Sequence, residues 1–180
     1  MKKLLFLPLF ALLFNACTSS DVEPKKEFVG KWKINSFQVN LKMSGEQPEN
    51  EVEDVSGKEI ILEFKEDGTF TSSYVPTGDE DFELFPVSTA TYSVQNDEYI
   101  LISSKNEMGD NETIKYKYEI NNDQLVLSMD KELVKEAFAN ALKLEAAALA
   151  AFGITAEDLL LEIFVDIESY DLSILMVKAN

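Results

Sequence analysis

The sequence predicts an all-β fold with a helical insertion: an eight-stranded antiparallel up-and-down barrel, interrupted between its last two strands by helices. Three observations carry this. Short segments of alternating polarity follow one another from Phe28 to Met129, separated by turn residues. The cleanest of them, Thr113 to Ile120, turns Ile114, Tyr116, Tyr118 and Ile120 one way and Thr113, Lys115, Lys117 and Glu119 the other. One wet face marks an antiparallel sheet. After Asp130 the apolar period changes to a helical one, and alternation returns only at Tyr170.

The first strand, Phe28 to Leu41, holds the one Trp of the chain, Trp32. Trp32 and Ile34 share one parity, while Phe37, Val39 and Leu41 share the other. A regular strand cannot keep both sets on one face, so a bulge or bend is expected near Asn35-Ser36. Two separate short strands, or one strand buried on both sides, are the alternatives. Lys42 to Gly57 has no apolar period and carries Glu46, Glu49, Glu51, Glu53 and Asp54; it is expected to be a long solvated loop. Its carboxylates lack the spacing of a calcium loop.

Ile60, Leu62 and Phe64 lead through Asp67-Gly68 into Phe70, Ser72 and Tyr74, a hairpin signal. A second acidic loop, Pro76 to Pro86, is expected to be solvated as well. Val87 to Val94, Tyr99 to Ser103, Thr113 to Ile120 and Gln124 to Met129 continue the meander. Asp130 is placed to cap a helix that runs to Gly153, with Val134, Phe138, Ala141, Leu142, Leu149 and Phe152 on its apolar side. Its second half, Ala146 to Ala151, is apolar all round and is expected to be buried or in an interface. Thr155 with Asp158 reads as the capping box of a second helix, Ala156 to Phe164. Tyr170 to Val177 forms the eighth strand, placed to pair with the first.

Residues 1–16 read as an export signal: Met1-Lys2-Lys3, then an apolar run from Leu4 to Phe14 too short to span a bilayer. Cys17, the only cysteine, follows directly. Leu13-Phe14-Asn15-Ala16-Cys17 resembles a bacterial lipobox, which makes Cys17 the lipidated first residue of the mature chain. An ordinary secretory signal beside an incidental cysteine is the alternative. Residues 17–27 are then a tether, and residues 28–180 the barrel domain with helices at about 131–164. Thr18 after the cysteine, by analogy with lipoprotein sorting, directs the protein to the outer membrane, on its periplasmic side or at the cell surface.

Composition excludes several functions. The chain has 16 basic residues, all Lys, against 33 acidic ones, and its formal net charge of −17 repels nucleic acid. It has no His and no Arg, so imidazole proton shuttles, imidazole metal ligands and guanidinium clamps are absent. No spacing pairs a nucleophile with a base, so no catalytic residue, metal or cofactor is expected.

Gly30-Lys31-Trp32, the Phe64 to Phe70 stretch FKEDGTF and the Tyr118 to Leu127 stretch YEINNDQLVL together resemble the small lipocalin-like lipoproteins of Gram-negative bacteria. The resemblance implies that Trp32 plugs the closed end of the barrel beneath a basic side chain from the last strand. Lys178 stands where that family generally has Arg. Gly30, Trp32 and Lys178 are therefore the expected structural plug. It also implies a non-enzymatic binding module for one small apolar or amphipathic ligand, in or near the barrel mouth. Ile34, Phe64, Phe70, Tyr92, Tyr116 and Tyr118 are the candidate lining residues, although plain core packing uses the same side chains. The alternative is an interaction lipoprotein whose helices at 131–164 cover the barrel mouth or dock a protein partner.

Overall fold

The computed structural model of the chain describes residues 26–73, 85, 90–105, 109, 111–144, 146–151 and 153–179. Nine strands and three helices fill them: β1 (Gly30–Met43), β2 (Glu49–Asp54), β3 (Ile61–Phe64), β4 (Thr69–Ser72), β5 (Ala90–Gln95), β6 (Tyr99–Lys105), β7 (Asn111–Asn121), β8 (Gln124–Asp130), α1 (Lys131–Leu144), α2 (Ala146–Ala151), α3 (Ala156–Phe164) and β9 (Ile167–Lys178). The expected signal, Cys17 and nearly all of the tether lie outside the described residues, as do Tyr74, Phe152 and the start of the expected Val87 to Val94 strand.

Every pairing is antiparallel, and β1 pairs with β9, so β1 and β3 to β9 close into an eight-stranded barrel. The meander order follows from short turns. Asn96 and Asp97 both adopt positive φ in the β5–β6 turn, and Asn122 does so in the β7–β8 turn. This is the conformation that tight hairpins require and that Asn and Asp tolerate.

The phase change in β1 is a bulge. Ile34 faces Met176 and Ser36 faces Leu175, which leaves Asn35 as the extra residue. Its carbonyl accepts a hydrogen bond from Val55 N–H at 2.8 Å. Past the bulge Phe37 and Val39 oppose Ile174 and Leu172, so both halves of β1 turn their apolar side chains into the barrel.

The expected loop at Lys42 to Gly57 is corrected. It contains β2, which pairs with Ser36 to Leu41 above the point where β3 pairs with Gly30 to Lys33. All six β2 residues are exposed. Periodicity gave no warning, because a strand with no buried face need not alternate. Its carboxylates suit an edge strand that must not recruit another chain.

The helical insertion keeps to the expected order: α1 and α2 adjoin on either side of Glu145, which lies outside the described residues, and Gly153 at φ 72° separates α2 from α3. Ala146, Ala150 and Ala151 are exposed and Leu149 is half-buried, so of the expected burial or interface, burial within the chain does not hold for these residues. Asp130 caps α1 by accepting from Leu133 N–H at 3.0 Å. Thr155 caps α3 by accepting from Asp158 N–H at 3.1 Å and donating its hydroxyl to the Asp158 carboxylate at 2.6 Å. Leu133 and Ala137 lie beside Leu101, Thr113 and Lys115, which point outward from β6 and β7. Hence α1 rests on the outer wall of the barrel, and α3 packs on α1. No helix among the described residues is long and apolar enough to cross a membrane.

The core runs through the barrel interior, and every buried hydrophobic residue among those described lies between Phe28 and Met176. A chain beginning at Lys26 therefore carries all of the described core and the strand pairing that closes it, which is what independent folding requires.

Candidate functional site

The two ends of the barrel differ. At one end emerge the N-terminal segment, the β3–β4, β5–β6 and β7–β8 turns and the C-terminus. Lys178 N–H donates to Asp123 O at 2.9 Å and Ala179 N–H to Lys31 O at 2.8 Å, which ties these parts together. Trp32 faces inward here with no accessible surface, and its indole N–H donates to Phe28 O at 2.7 Å. The Phe28 ring lies inside as well, 4.6 Å from Tyr118 and 5.7 Å from Phe64. Lys178 pairs with Trp32 across β1 and β9, and its Nζ stands 5.3 Å from the indole centroid, a cation–π arrangement. Gly30 has φ 129°, and a Cβ there would meet Lys178 Cε at 3.4 Å. A backbone in that region with a lysine stem against it accepts glycine far better than any L side chain. This end is closed.

Above it the interior is a ladder of rings. Phe64 lies 4.9 Å from Phe70 and 5.1 Å from Tyr92. Of the six candidate lining residues, Ile34, Phe64, Phe70 and Tyr116 have no accessible surface, Tyr92 retains 5%, and Tyr118 is half-buried. Zero accessibility means that no water-sized void touches those four side chains; they are packed against neighbours. Burial pushes the Tyr116 phenol far above its ordinary range. Burial also raises that of Tyr92, helped by the Asp67 charge. The Tyr92 hydroxyl donates to Lys65 O at 2.9 Å, so it braces the β3–β4 turn.

One more ring joins this ladder from outside the sheet. Phe85, in the segment expected to be a solvated acidic loop, has no accessible surface. It lies 6.1 Å from Phe70 and stacks on Tyr116 at 6.0 Å and 25°. The sequence does not announce it, because four carboxylates, Asp79, Glu80, Asp81 and Glu83, precede it closely in the chain. Its size and apolarity within so acidic a segment were the available signal.

At the opposite end several inward-facing side chains are less sealed, although Met129 and Leu172 there stay buried. Phe37, Val39 and Leu41 of β1, Ile114 of β7 and Tyr170 of β9 are all half-buried, although their parity is that of the core. They form an apolar mouth, and the phenol of Tyr170 is raised by burial. The bulge at Asn35 turns the β1 members inward. The sequence reading recognised their parity but did not place them among the lining residues.

Two other surfaces stand out. Between α1 and the outer wall lies a groove of about 480 Å³ bounded by Tyr99, Lys115, Lys117, Asp130, Glu136 and Leu160 among others. Its charges face one another. Lys117 Nζ reaches Asp130 at 2.8 Å, Lys115 Nζ lies 4.0 Å from Glu136 and 4.4 Å from the Tyr99 centroid. The Lys117 hydrogen bond holds the Asp130 carboxyl below its ordinary range. On α3 and its flanks, Leu161 is 59% and Val165 68% exposed, with Ile154 and Ile163 exposed beside them. Among the described residues no three carboxylates or other metal-binding groups converge.

A closed antiparallel barrel with a plugged end and an apolar mouth is the setting in which the comparisons fall. The family model of the lipocalin-like domain matches residues 28–127, more than half of the chain. The chain belongs to the lipocalin-like domain family. The matched part of this lipocalin-like domain runs from Phe28 through most of β8; beyond it lie the helices and β9, and β9 closes the barrel. The chain is also similar to a crystal structure of an uncharacterized protein from Bacteroides eggerthii, at 14% identity over 84% of this chain and 99% of that one, with a TM-score of 0.21. No curated protein matches the sequence.

Proposed function

We propose that this lipocalin-like protein is a lipid-anchored binding protein that takes one small apolar or amphipathic molecule at the barrel mouth, without catalysis. The observation that supports it is the half-buried apolar set at the end remote from Trp32. Trp32, Ile34 and Phe64 are sealed, whereas Phe37, Val39, Leu41, Ile114 and Tyr170 keep part of their apolar surface open. Barrels of this strand number have room for side chains or for one small ligand, and here the lower part is taken by side chains. The ligand therefore sits higher than Ile34, Phe64, Phe70 and Tyr116 would place it. In this reading the anchor is Cys17 and the protein belongs to the outer membrane. Lys26 emerges at the Trp32 end, so the mouth points away from the lipid.

The test uses residues 26–180 and a dansylated fatty acid as probe. Saturable binding at one site is expected, and Val39→Trp, which fills the mouth, should abolish it. Binding that survives Val39→Trp, or no saturable binding by the wild type, rejects the mouth as the site. Anchoring is tested separately: Cys17→Ser should release the protein from the membrane fraction.

One observation favours a second role. The exposed Leu161 and Val165 lie one helical turn apart on a surface that α1 does not cover, and such a surface suits a protein partner. Glu substitutions at both positions would remove that contact and leave probe binding intact.

A further inference from the structure

We propose that the exposed stripe of α3 is a docking surface for a cationic amphipathic helix of another protein. The inference rests on the second role given above to Leu161 and Val165, and it names the chemistry of the partner. An α-helix turns about 100° per residue, so α3 carries two apolar stripes of i, i+4 spacing side by side. Leu160 and Phe164 make the first. It faces α1, where Phe164 is buried with its ring 5.8 Å from that of Phe138. Leu161 and Val165 make the second, 59% and 68% exposed. Val165 N–H donates to Leu161 O at 3.0 Å, so the helical register holds through both residues. One packed stripe is enough to seat a surface helix, and the second stays in water.

Charge selects the occupant. Neighbours on a helix surface lie three and four residues apart, so Glu157 and Asp158 flank Leu161, and Glu162 flanks Val165. From Ile154 to Glu168 the chain has five acidic residues and no Lys. Among the described residues no lysine pairs with Glu157, Asp158 or Glu162, whereas in the groove beside α1 Lys117 and Lys115 answer Asp130 and Glu136. An apolar stripe inside an unbalanced acidic rim complements leucines flanked by Lys or Arg. A second copy of the chain would set this rim against itself. The chain's own stretch 74–84 offers four carboxylates and no lysine. Anionic lipid headgroups are repelled by the same rim.

The experiment titrates residues 26–180 into a fluorescein-labelled helical peptide of about 18 residues, about five turns, with leucines on one face and lysines on the other. Fluorescence anisotropy should show saturable one-site binding that weakens as salt is raised. Leu161→Glu with Val165→Glu should lower the affinity at least about tenfold, because the peptide loses two or three carbons' worth of burial at roughly fourfold each. Charge attraction alone predicts the reverse, since that variant is the more acidic. If circular dichroism shows that the double Glu variant does not fold, Leu161→Ala with Val165→Ala removes the same contact and carries the same expectation. Equal or tighter binding by the folded variant, no saturable binding by the wild type, or a wild-type dimer that the variant dissolves overturns the proposal. Glu157→Gln with Glu162→Gln separates the two readings. A severalfold loss with a flatter salt dependence supports the cationic partner. Unchanged binding there, with the loss at Leu161 and Val165 intact, overturns the cationic preference and leaves the docking surface standing.

Discussion

Replacing Trp32 by Phe tests whether the closed end is built as described. The substitution keeps an aromatic ring but deletes the indole N–H that reaches Phe28 O at 2.7 Å in a fully buried place. Leaving that carbonyl without its donor costs about 1–3 kcal/mol. The smaller ring also leaves a void in a residue position with no accessible surface. Full truncation of a buried Trp to Ala costs about 3–5 kcal/mol, so Phe forfeits a fraction of that, roughly 1–2 kcal/mol. Together these come to about 2–5 kcal/mol, which lowers the melting midpoint by about 4–20 °C in a chain of this size. Lys178→Met keeps the apolar stem over the indole, removes only the ammonium, and should lower the midpoint by less. The assay is thermal unfolding of residues 26–180 followed by far-UV circular dichroism. A Trp32→Phe midpoint equal to that of the wild type would refute the plug.

Other expectations follow from the same geometry. Asp130→Asn retains a good N-cap for α1 but loses the charge that Lys117 stabilises. Because that pairing depresses the folded-state carboxyl, its contribution is present above the ordinary carboxylate range and is lost as pH falls through the lower folded value. The urea midpoint of the variant should therefore lie below the wild type at pH 7, and the two should converge below about pH 4. Changing Glu49, Glu51 and Glu53 together to Thr removes three of the four carboxylates of the exposed β2 edge; light scattering should then show faster aggregation on heating, with little change in the midpoint. Gly30→Ala forces a β-carbon onto a backbone at φ 129° against Lys178 and should lower the melting temperature, whereas Gly57→Ala, where a Cβ meets nothing within 4 Å, should not.

Much of the barrel was legible because its strands have one wet face. Where a side chain alternated between lysine and a large apolar residue, as in β7, both the strand and its inner face could be read. The phase change in β1 likewise announced the bulge at Asn35. Segments whose structure does not depend on a buried face were not legible. The β2 strand is exposed on every residue, so it carries no period, and only its pairing with β1 makes it a strand. The Ala-rich helix looked like buried surface because apolarity alone does not say what covers it. At the site, the inward parity of the aromatic residues was legible, and plain core packing was already an open reading of them. Sequence gives the face a residue points to, whereas burial along the barrel axis depends on the closing pairs and on Phe85 arriving from elsewhere in the chain.

The central claim is that a ligand enters at the end of the barrel remote from Trp32. A methyl-detected NMR titration of residues 26–180 with the fatty acid probe tests it most directly. The account predicts saturable shifts at Val39, Leu41 and Ile114, while Leu161 and Val165 on the α3 side stay still. Shifts confined to Leu161 and Val165, or no saturable shift at any methyl group, would contradict it.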